Sequence, residues 1–209
     1  MPVIPQFTLH YFDLMGKAET IRLIFTYAGV KFTDNRIQKE DWPKIKETMA
    51  FGQIPMLEMD GKKLYQSRAI ERFLARMYGL LGDDDLEAAY IDQFIGGLDD
   101  VIATFRPAFG ETDEEKKKIA LGKVVQEHII PCLKKYNDFI AENGTGHLVG
   151  KNGKVNLADL ALFHILWFLT NKINPQLIDG QPELKKFFTA MSEDPKLKGY
   201  LATRKITEF

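Results

Sequence analysis

The chain has 209 residues, enough for one large domain or two small domains with a buried core. Its hydrophobic fraction of 45% and charged fraction of 27% are typical of a globular protein, and a formal net charge of −1 excludes a general attraction to nucleic acid or anionic membranes. A single cysteine, Cys132, and a start without the basic and apolar stretches of a signal peptide favour a cytoplasmic protein, for which we expect no nucleic-acid or membrane partner.

The first part of the chain alternates between strand and helix patterns. Residues 6–12 alternate apolar and polar side chains, which predicts a strand. Residues 17–28 repeat apolar side chains at helical spacing, and Gly29 is typical of a helix end. Residues 30–37 predict a second strand, parallel to the first because a helix joins the two.

A hairpin and a further helix complete this part. Residues 55–60 and 62–65 predict two antiparallel strands around Asp60-Gly61, a dipeptide typical of a type I′ turn. A helix with an apolar stripe follows the polar pair Gln66-Ser67. The order β-α-β followed by β-β-α predicts a small α/β domain.

From Gly82 onward the pattern is helical, so we expect an all-α domain over residues 83–209 after an α/β domain over residues 1–82. A first long helix should end near Pro107, and a second should run from about residue 114 to 142 with a bend near Pro131.

The rest of the second domain should also be helical. Asn156 and Asp159 have the spacing of a helix cap, and the helix that they open is apolar on nearly all faces, which predicts the buried centre of this domain. Two shorter helices are expected over residues 182–191 and 195–201.

No single motif identifies a chemistry. The four histidines are scattered and Cys132 has no partner at metal-ligand spacing, so we expect no metal site. Tyr11 in a strand, Trp42, Lys46 and a polar pair at a helix start each have an ordinary interpretation as packing, a solvated charge or a cap.

The combination and order of these features are more specific. The segments LHYFDLMGKAE, DWPKIK, FGQIPMLEMDG, QSRAI, LDD and HLVGKNGKVNLADL occur in the order of the cytosolic glutathione transferases. Within them the chain most resembles the sigma class, which includes hematopoietic prostaglandin D synthase. The resemblance covers the whole chain and implies a thioredoxin-like amino-terminal domain, an all-helical carboxyl-terminal domain, a homodimer, and glutathione as cosubstrate without a metal.

The resemblance also implies the glutathione site. The Tyr11 hydroxyl would donate a hydrogen bond to the glutathione sulfur and favour the thiolate. The bond before Pro55 would be cis, so that the backbone of Ile54 pairs with the cysteinyl part. The amides and side chains of Gln66-Ser67 would hold the γ-glutamyl carboxylate at a helix start.

The glycyl end would meet Trp42, Lys46 and Gln53, and Asp100 would reach the glutathione of the neighbouring subunit. The full implied set is Tyr11, Lys17, Trp42, Lys46, Gly52, Gln53, Ile54, Pro55, Gln66, Ser67 and Asp100.

Three positions depart from the sigma pattern. Met15 stands where arginine is frequent, although methionine also occurs in the class. Lys17 stands where arginine is frequent and keeps the charge without the planar fork. Arg68 stands where a small or apolar residue is usual; it either approaches the carboxylate subsite or points into solvent, and we expect the latter.

Three functions remain open at this point. The first is conjugation of glutathione to small hydrophobic electrophiles, held between the domains, in detoxification. The second is a glutathione-dependent isomerisation of prostaglandin H to prostaglandin D. The third is a non-enzymatic role as a crystallin-like protein or a carrier of hydrophobic ligands.

Overall fold

The computed structural model describes residues 5–207, and the chain forms two compact units. One unit consists of the chain up to Leu80 together with the chain from Ser192 onward, and the other is Leu81–Met191. The division into domains of residues 1–82 and 83–209 stays a prediction; it does not express that the last part of the chain packs with the first unit.

The first unit is built on a mixed sheet of four strands in the order β2-β1-β3-β4. β1 pairs with β2 in parallel, and β3 is antiparallel to both β1 and β4. The strands are β1 (Phe7–Phe12), β2 (Thr33–Ile37), β3 (Met56–Met59) and β4 (Lys62–Tyr65). The helices of this unit are α1 (Glu19–Tyr27), α2 (Trp42–Lys46), α3 (Ser67–Met77) and α10 (Lys198–Thr203), with a 3₁₀ turn over Gly16–Ala18.

The alternation predicted for the first strand is confirmed. Phe7, Leu9 and Tyr11 are buried on one face of β1, and the Phe7 ring lies 5.1 Å from the Phe25 ring of α1. The turn between β3 and β4 is confirmed as well, because Asp60 and Gly61 have φ of 48° and 79°, both positive as a type I′ turn requires.

Two predicted boundaries in this unit are wrong. The second strand begins at Thr33 rather than Val30, because β1 offers Thr8 as the partner of Thr33 and Phe32 stacks on Phe25 at 4.5 Å before the pairing starts. The last helix begins at Lys198 rather than residue 195. The chain before it forms a turn in which Asp194 accepts the backbone amides of Leu197 and Lys198.

The second unit is helical, as predicted, and the helix Leu157–Phe168 (α8) is largely buried. Asn156 accepts hydrogen bonds from the amides of Ala158 and Asp159, and the Asp159 carboxylate accepts the Asn156 amide at 3.0 Å, which completes the predicted capping box. Asp159 is fully buried, and its carboxylate also accepts the Leu148 amide at 3.1 Å. The helices are α4 (Asp85–Ala103), α5 (Arg106–Phe109), α6 (Glu114–Val124), α7 (Ile130–Asn143), α8 (Leu157–Phe168) and α9 (Pro182–Glu193), the last of which extends past Met191.

The predicted long helix over residues 114–142 is interrupted. A π-helical segment, Val125–Ile129, separates α6 from α7. Pro131 lies in the first turn of α7 and has no backbone N–H, so the α-helical hydrogen bonding cannot continue unbroken through it. The amide of Ile130 donates to the carbonyl of Val125, five residues earlier, which is the π-helical pattern. The first long helix, α4, ends at Ala103, earlier than the predicted end near Pro107. Pro107 lies within α5.

The arrangement of a four-stranded mixed sheet with helices, followed by a helical unit, confirms the predicted thioredoxin-like and all-α fold class. No helix between residues 5 and 207 is long and apolar enough to cross a membrane.

Candidate functional site

A surface cleft in the first unit gathers residues from three chain segments. Of the residues predicted to bind glutathione, six line it, and they are joined by two aromatic residues that sequence reasoning missed. The lining consists of Lys17, Phe51, Gln53, Ile54, Pro55, Tyr65, Gln66 and Ser67. The rings of Phe51 and Tyr65 meet edge to face at 6.0 Å. Their signal in the sequence is position alone, since Phe51 precedes Gly52 and Tyr65 precedes Gln66.

The polar pair lies where β4 ends and α3 begins. Gln66 has φ 71° and ψ 117°, a conformation that residues other than glycine rarely adopt and that costs about 1–3 kcal/mol. Within the described chain its side chain makes no capping hydrogen bond to α3, so the ordinary interpretation as a cap does not hold for Gln66. Ser67 is the first residue of α3, where the amides and the helix dipole favour an anion.

The segment before β3 also lines the cleft. The Ile54–Pro55 peptide bond is cis, as the resemblance implies. Gly52 has φ 57°, and a β-carbon there would lie 3.6 Å from Cε of Lys46, so the stem of Lys46 passes over this loop. The exposed Lys46 and the half-buried Trp42 both lie on α2, and the Trp42 ring packs edge-on against Phe12 at 5.2 Å.

Tyr11 lies near the end of β1 with a side chain that is 8% exposed. Its hydroxyl accepts a hydrogen bond of 3.2 Å from the backbone amide of Lys17, one of the cleft-lining residues. Burial raises the pKa of Tyr11, and the Lys17 amide and the charge of Arg22 partly oppose that rise. The hydroxyl is therefore protonated at neutral pH, and with its oxygen accepting from Lys17 its proton is available to another acceptor.

Gly16 is a site residue that the sequence marked only as one letter of a segment. Its φ is 37°, and a β-carbon there would lie 2.7 Å from the Tyr11 hydroxyl oxygen and 3.1 Å from the ring. Distances between a β-carbon and a non-bonded heavy atom essentially never fall below 3.0 Å in proteins. Glycine is therefore needed for the turn to approach Tyr11.

Arg22 is a second residue that sequence reasoning missed. Its side chain is fully buried in α1 and donates to both carboxylate oxygens of Asp34, at 3.1 and 3.2 Å. It also donates to the carbonyls of Leu14 and Met15, at 2.8 and 3.3 Å, so it holds the loop that leads to Gly16. Its signal in the sequence is a charged residue inside an apolar helical run, IRLIF.

Arg68 does not point into solvent as expected. Its guanidinium donates to Glu71 at 2.5 Å, and the Glu71 side chain is only 2% exposed. Arg68 therefore compensates the carboxylate of Glu71 on α3, because a buried charge requires an oppositely charged partner.

Other predicted features lie elsewhere. Asp100 is exposed on α4 of the helical unit, and its contact with a neighbouring glutathione stays a prediction. Burial raises the pKa of the Cys132 thiol to about 11, so this cysteine is protonated and suited to packing rather than to nucleophilic chemistry. Among residues 5–207, no group of three or more His, Cys, Asp or Glu side chains could hold a metal ion.

Known proteins with the same organisation are numerous. Residues 7–76 match the family described as "Glutathione S-transferase, N-terminal domain", and residues 99–204 match "Glutathione S-transferase, C-terminal domain". "Glutathione S-transferase 1" of Ascaris suum is 39% identical over 212 residues, which cover 99% of this chain and 100% of that protein.

Solved structures agree with the sequence matches. "Prostaglandin synthase D of Nilaparvata lugens" has a TM-score of 0.87 at 36% identity and covers 97% of this chain and 100% of its own. "Monomeric Na-GST-3" from the hookworm Necator americanus has a TM-score of 0.86 at 37% identity and covers 98% and 100%. The predicted glutathione transferase is confirmed by these matches, and glutathione is the cosubstrate that they imply. The chain belongs to the glutathione S-transferase family.

Proposed function

We propose that Tyr11 activates glutathione as its thiolate and that the protein conjugates this thiolate to small hydrophobic electrophiles. The observation that carries the proposal is a buried, protonated tyrosine hydroxyl that already accepts the Lys17 amide beside a cleft of predicted glutathione residues. A hydroxyl in this state donates to a sulfur placed opposite the amide. Because the thiolate accepts that bond more strongly than the thiol does, the bond lowers the thiol pKa.

The magnitude follows from the free thiol. If the hydrogen bond lowers a thiol pKa from about 8.5 to about 6.5, the thiolate is stabilised by about 2.7 kcal/mol. At pH 7 the thiolate fraction then rises from about 3% to about three quarters, roughly a 25-fold gain. The nucleophile belongs to the cosubstrate, and the protein supplies activation and position.

The cleft offers a complementary group for each end of the peptide. The γ-glutamyl carboxylate fits the amino-terminal end of α3, where Ser67 begins the helix and Gln66 is held in its unusual conformation. The cysteinyl part fits the backbone of Ile54, and the glycyl carboxylate fits Gln53 with Lys46 passing nearby over Gly52. In this arrangement Lys17 adds a cation at the cleft wall.

We also propose a class, a location, a biological role and an oligomeric state. We place the protein in the sigma class, in the cytoplasm, in a detoxifying role and in a homodimer to which Asp100 contributes across subunits. The order of segments in the sequence supports the class. The relative from Necator americanus is described as monomeric, so the oligomeric state is to be measured directly, for example by sedimentation.

A second candidate activity is the isomerisation of prostaglandin H to prostaglandin D. The relative from Nilaparvata lugens that is described as a prostaglandin synthase favours it. The same thiolate would serve, without net consumption of glutathione. A purely structural or carrier role is disfavoured by the polar cleft and by the position of Tyr11.

The test is Tyr11→Phe, assayed with glutathione and a model aryl halide from pH 6 to pH 9, with Tyr90→Phe as control because Tyr90 is exposed on α4. We expect Tyr11→Phe to lose about 25-fold at pH 7 and to recover as the pH rises above the free thiol pKa. Tyr90→Phe should match the wild type. Equal rates for Tyr11→Phe and the wild type at pH 7 would refute the role of Tyr11.

Prostaglandin H is offered in a parallel assay. Formation of prostaglandin D with no loss of glutathione would establish the isomerase, and conjugation of the aryl halide alone would restrict the protein to transferase chemistry. Both activities should fall together in Tyr11→Phe if they share the thiolate.

A further inference from the structure

The carboxyl-terminal residues contact the loop that precedes Gly16. The Met15 amide donates to the Thr207 hydroxyl at 2.9 Å. The Asp13 carboxylate, two residues before Met15, pairs with Lys205, two residues before Thr207. It also pairs with Arg36 of β2 at 3.1 Å. The loop over residues 13–15 is therefore attached to the last part of the chain at two points, almost 200 positions away in the sequence.

A buried set of charges forms a third link between these segments. Glu19, at the start of α1, is fully buried, and its Oε1 accepts from Arg204 at 2.8 Å and from the Tyr200 hydroxyl at 3.0 Å. Its Oε2 accepts from Arg22 at 3.2 Å. Glu19 thus joins two buried guanidinium groups, one from α1 and one from the residue that follows α10.

Arg22 connects Glu19 to the loop over residues 13–15. Its Nε and Nη2 groups donate to Asp34, and the Nη1 group that donates to Glu19 also meets the carbonyls of Leu14 and Met15. A buried network of this kind tolerates the loss of a member poorly, because the partner is left as an uncompensated charge and the group must rearrange. A change at Arg204 should therefore move the loop and not only remove one contact.

The loop ends at the atoms that touch Tyr11. Gly16 follows Met15 and approaches the Tyr11 ring closely, and the Lys17 amide donates to the Tyr11 hydroxyl at 3.2 Å, near the upper limit for a hydrogen bond. A displacement of a few tenths of an ångström would weaken this bond. The hydroxyl would then be less acidic and a poorer donor to a sulfur.

We propose that Arg204 is a positioning residue for glutathione activation: through Glu19 and Arg22 it fixes the loop that presents the Lys17 amide to Tyr11. The carboxyl-terminal segment of residues 198–207 thereby sets how strongly the Tyr11 hydroxyl donates to the glutathione sulfur. This inference rests on the proposed role of Tyr11. It assigns to Arg204, Glu19 and Arg22 no contact with the substrate.

Arg204→Met removes the guanidinium and keeps most of the side-chain volume. In the protein without glutathione, ultraviolet absorption of tyrosinate, with the Tyr11→Phe protein as reference, should place the Tyr11 pKa higher than in the wild type. In the glutathione complex, thiolate absorption should place the thiol pKa about 0.5–1 unit higher, a three- to tenfold loss of thiolate on the acid side of both pKa values.

A purely structural role would not give this pattern. Affinity for S-methylglutathione, which has no thiol proton to lose, should stay within about twofold of the wild type if only activation is affected. Arg204→Lys keeps a cation that can reach Glu19 and should restore part of the thiol pKa.

Lys196→Met is the matched control. It also removes one cation from the last part of the chain, but Lys196 precedes α10 and lies over the Tyr27 ring at 4.1 Å, outside the network. It should leave the thiol pKa unchanged. Thr207→Val provides a second route, because it removes the acceptor of the Met15 amide without touching a buried charge, and it should raise the thiol pKa in the same direction by less.

The outcomes are separable from those of the proposed function. If Tyr11→Phe loses thiolate while folded Arg204→Met and Thr207→Val keep the thiol pKa of the wild type, the positioning role is wrong and the role of Tyr11 stands. If Tyr11→Phe keeps its thiolate, the proposed function is wrong and this inference falls with it. Should Arg204→Met not fold, Thr207→Val decides between a raised and an unchanged pKa.

Discussion

Gly16→Ala tests how closely the turn must approach Tyr11. The added β-carbon would lie 2.7 Å from the Tyr11 hydroxyl oxygen, whereas ordinary contact begins at 3.4 Å, so the two groups must separate by about 0.7 Å. The Tyr11 ring cannot yield freely, because it is 8% exposed and packs against Phe12 with 5.8 Å between ring centroids. The displacement therefore falls on the hydroxyl, on the turn, or on both.

Two energetic effects add in this variant. Alanine at φ 37° carries a backbone penalty of about 1–2 kcal/mol, which appears as lost stability. A displacement of the hydroxyl by about 0.7 Å should lower kcat/KM by about 10- to 100-fold, since misplacement by 1 Å is enough for a 100-fold loss. We expect the affinity for glutathione to change much less than the rate, because the proposed subsites for the γ-glutamyl and glycyl ends do not include Tyr11.

Steady-state kinetics and thermal unfolding of Gly16→Ala are to be compared with Gly29→Ala. Gly29 also has positive φ, 67°, but a β-carbon there meets nothing within 4 Å among the described residues. Gly29→Ala should therefore lose similar stability and keep its activity. If Gly16→Ala is as active as Gly29→Ala, the close approach to Tyr11 does not matter for catalysis and the reasoning is refuted.

Two further predictions concern α3. Gln66→Gly should relieve the strained backbone and leave the free energy of unfolding within about 1 kcal/mol of the wild type, while glutathione affinity by calorimetry falls about tenfold. Asp60→Gly, which relieves a positive φ of 48° in the hairpin turn, is its control, and unchanged affinity in Gln66→Gly would contradict the assignment. Arg68→Met should cost about 1–3 kcal/mol in urea unfolding, because Glu71 loses a charged partner. Adding Glu71→Gln should recover part of that loss, and a single-variant cost below about 0.5 kcal/mol would show that the pair is dispensable.

Local patterns predicted the parts of the fold that depend on neighbours in sequence. The Asp60-Gly61 turn and the Asn156–Asp159 capping box are set by residues within four positions of each other, and both were predictable. The π-helical segment was not predictable. Pro131 indicates that the helical hydrogen bonding is interrupted, but not how the backbone of the preceding residues adjusts.

The candidate site divides in the same way. Six of the eight residues that line the cleft could be named from segments of the sequence, whereas the requirement for Gly16 depends on where the Tyr11 ring lies after folding. Glu19 and Arg22 are residue types usually found at exposed helix positions. Their burial depends on charged partners elsewhere in the chain, Asp34 for Arg22 and Arg204 for Glu19. Contacts between residues this distant leave no periodic signal in a single sequence.

The buried charges also bear on why the site is built this way. A buried ion pair contributes little net stability compared with apolar side chains of the same volume, since desolvation offsets most of the attraction. The three buried members Glu19, Arg22 and Arg204 are therefore poorly explained by stability alone. What such groups provide that apolar ones do not is direction: the guanidinium of Arg22 holds two loop carbonyls at fixed positions next to Gly16. If Tyr11 donates the proposed hydrogen bond to the glutathione sulfur, a fixed loop serves that role better than additional apolar packing would.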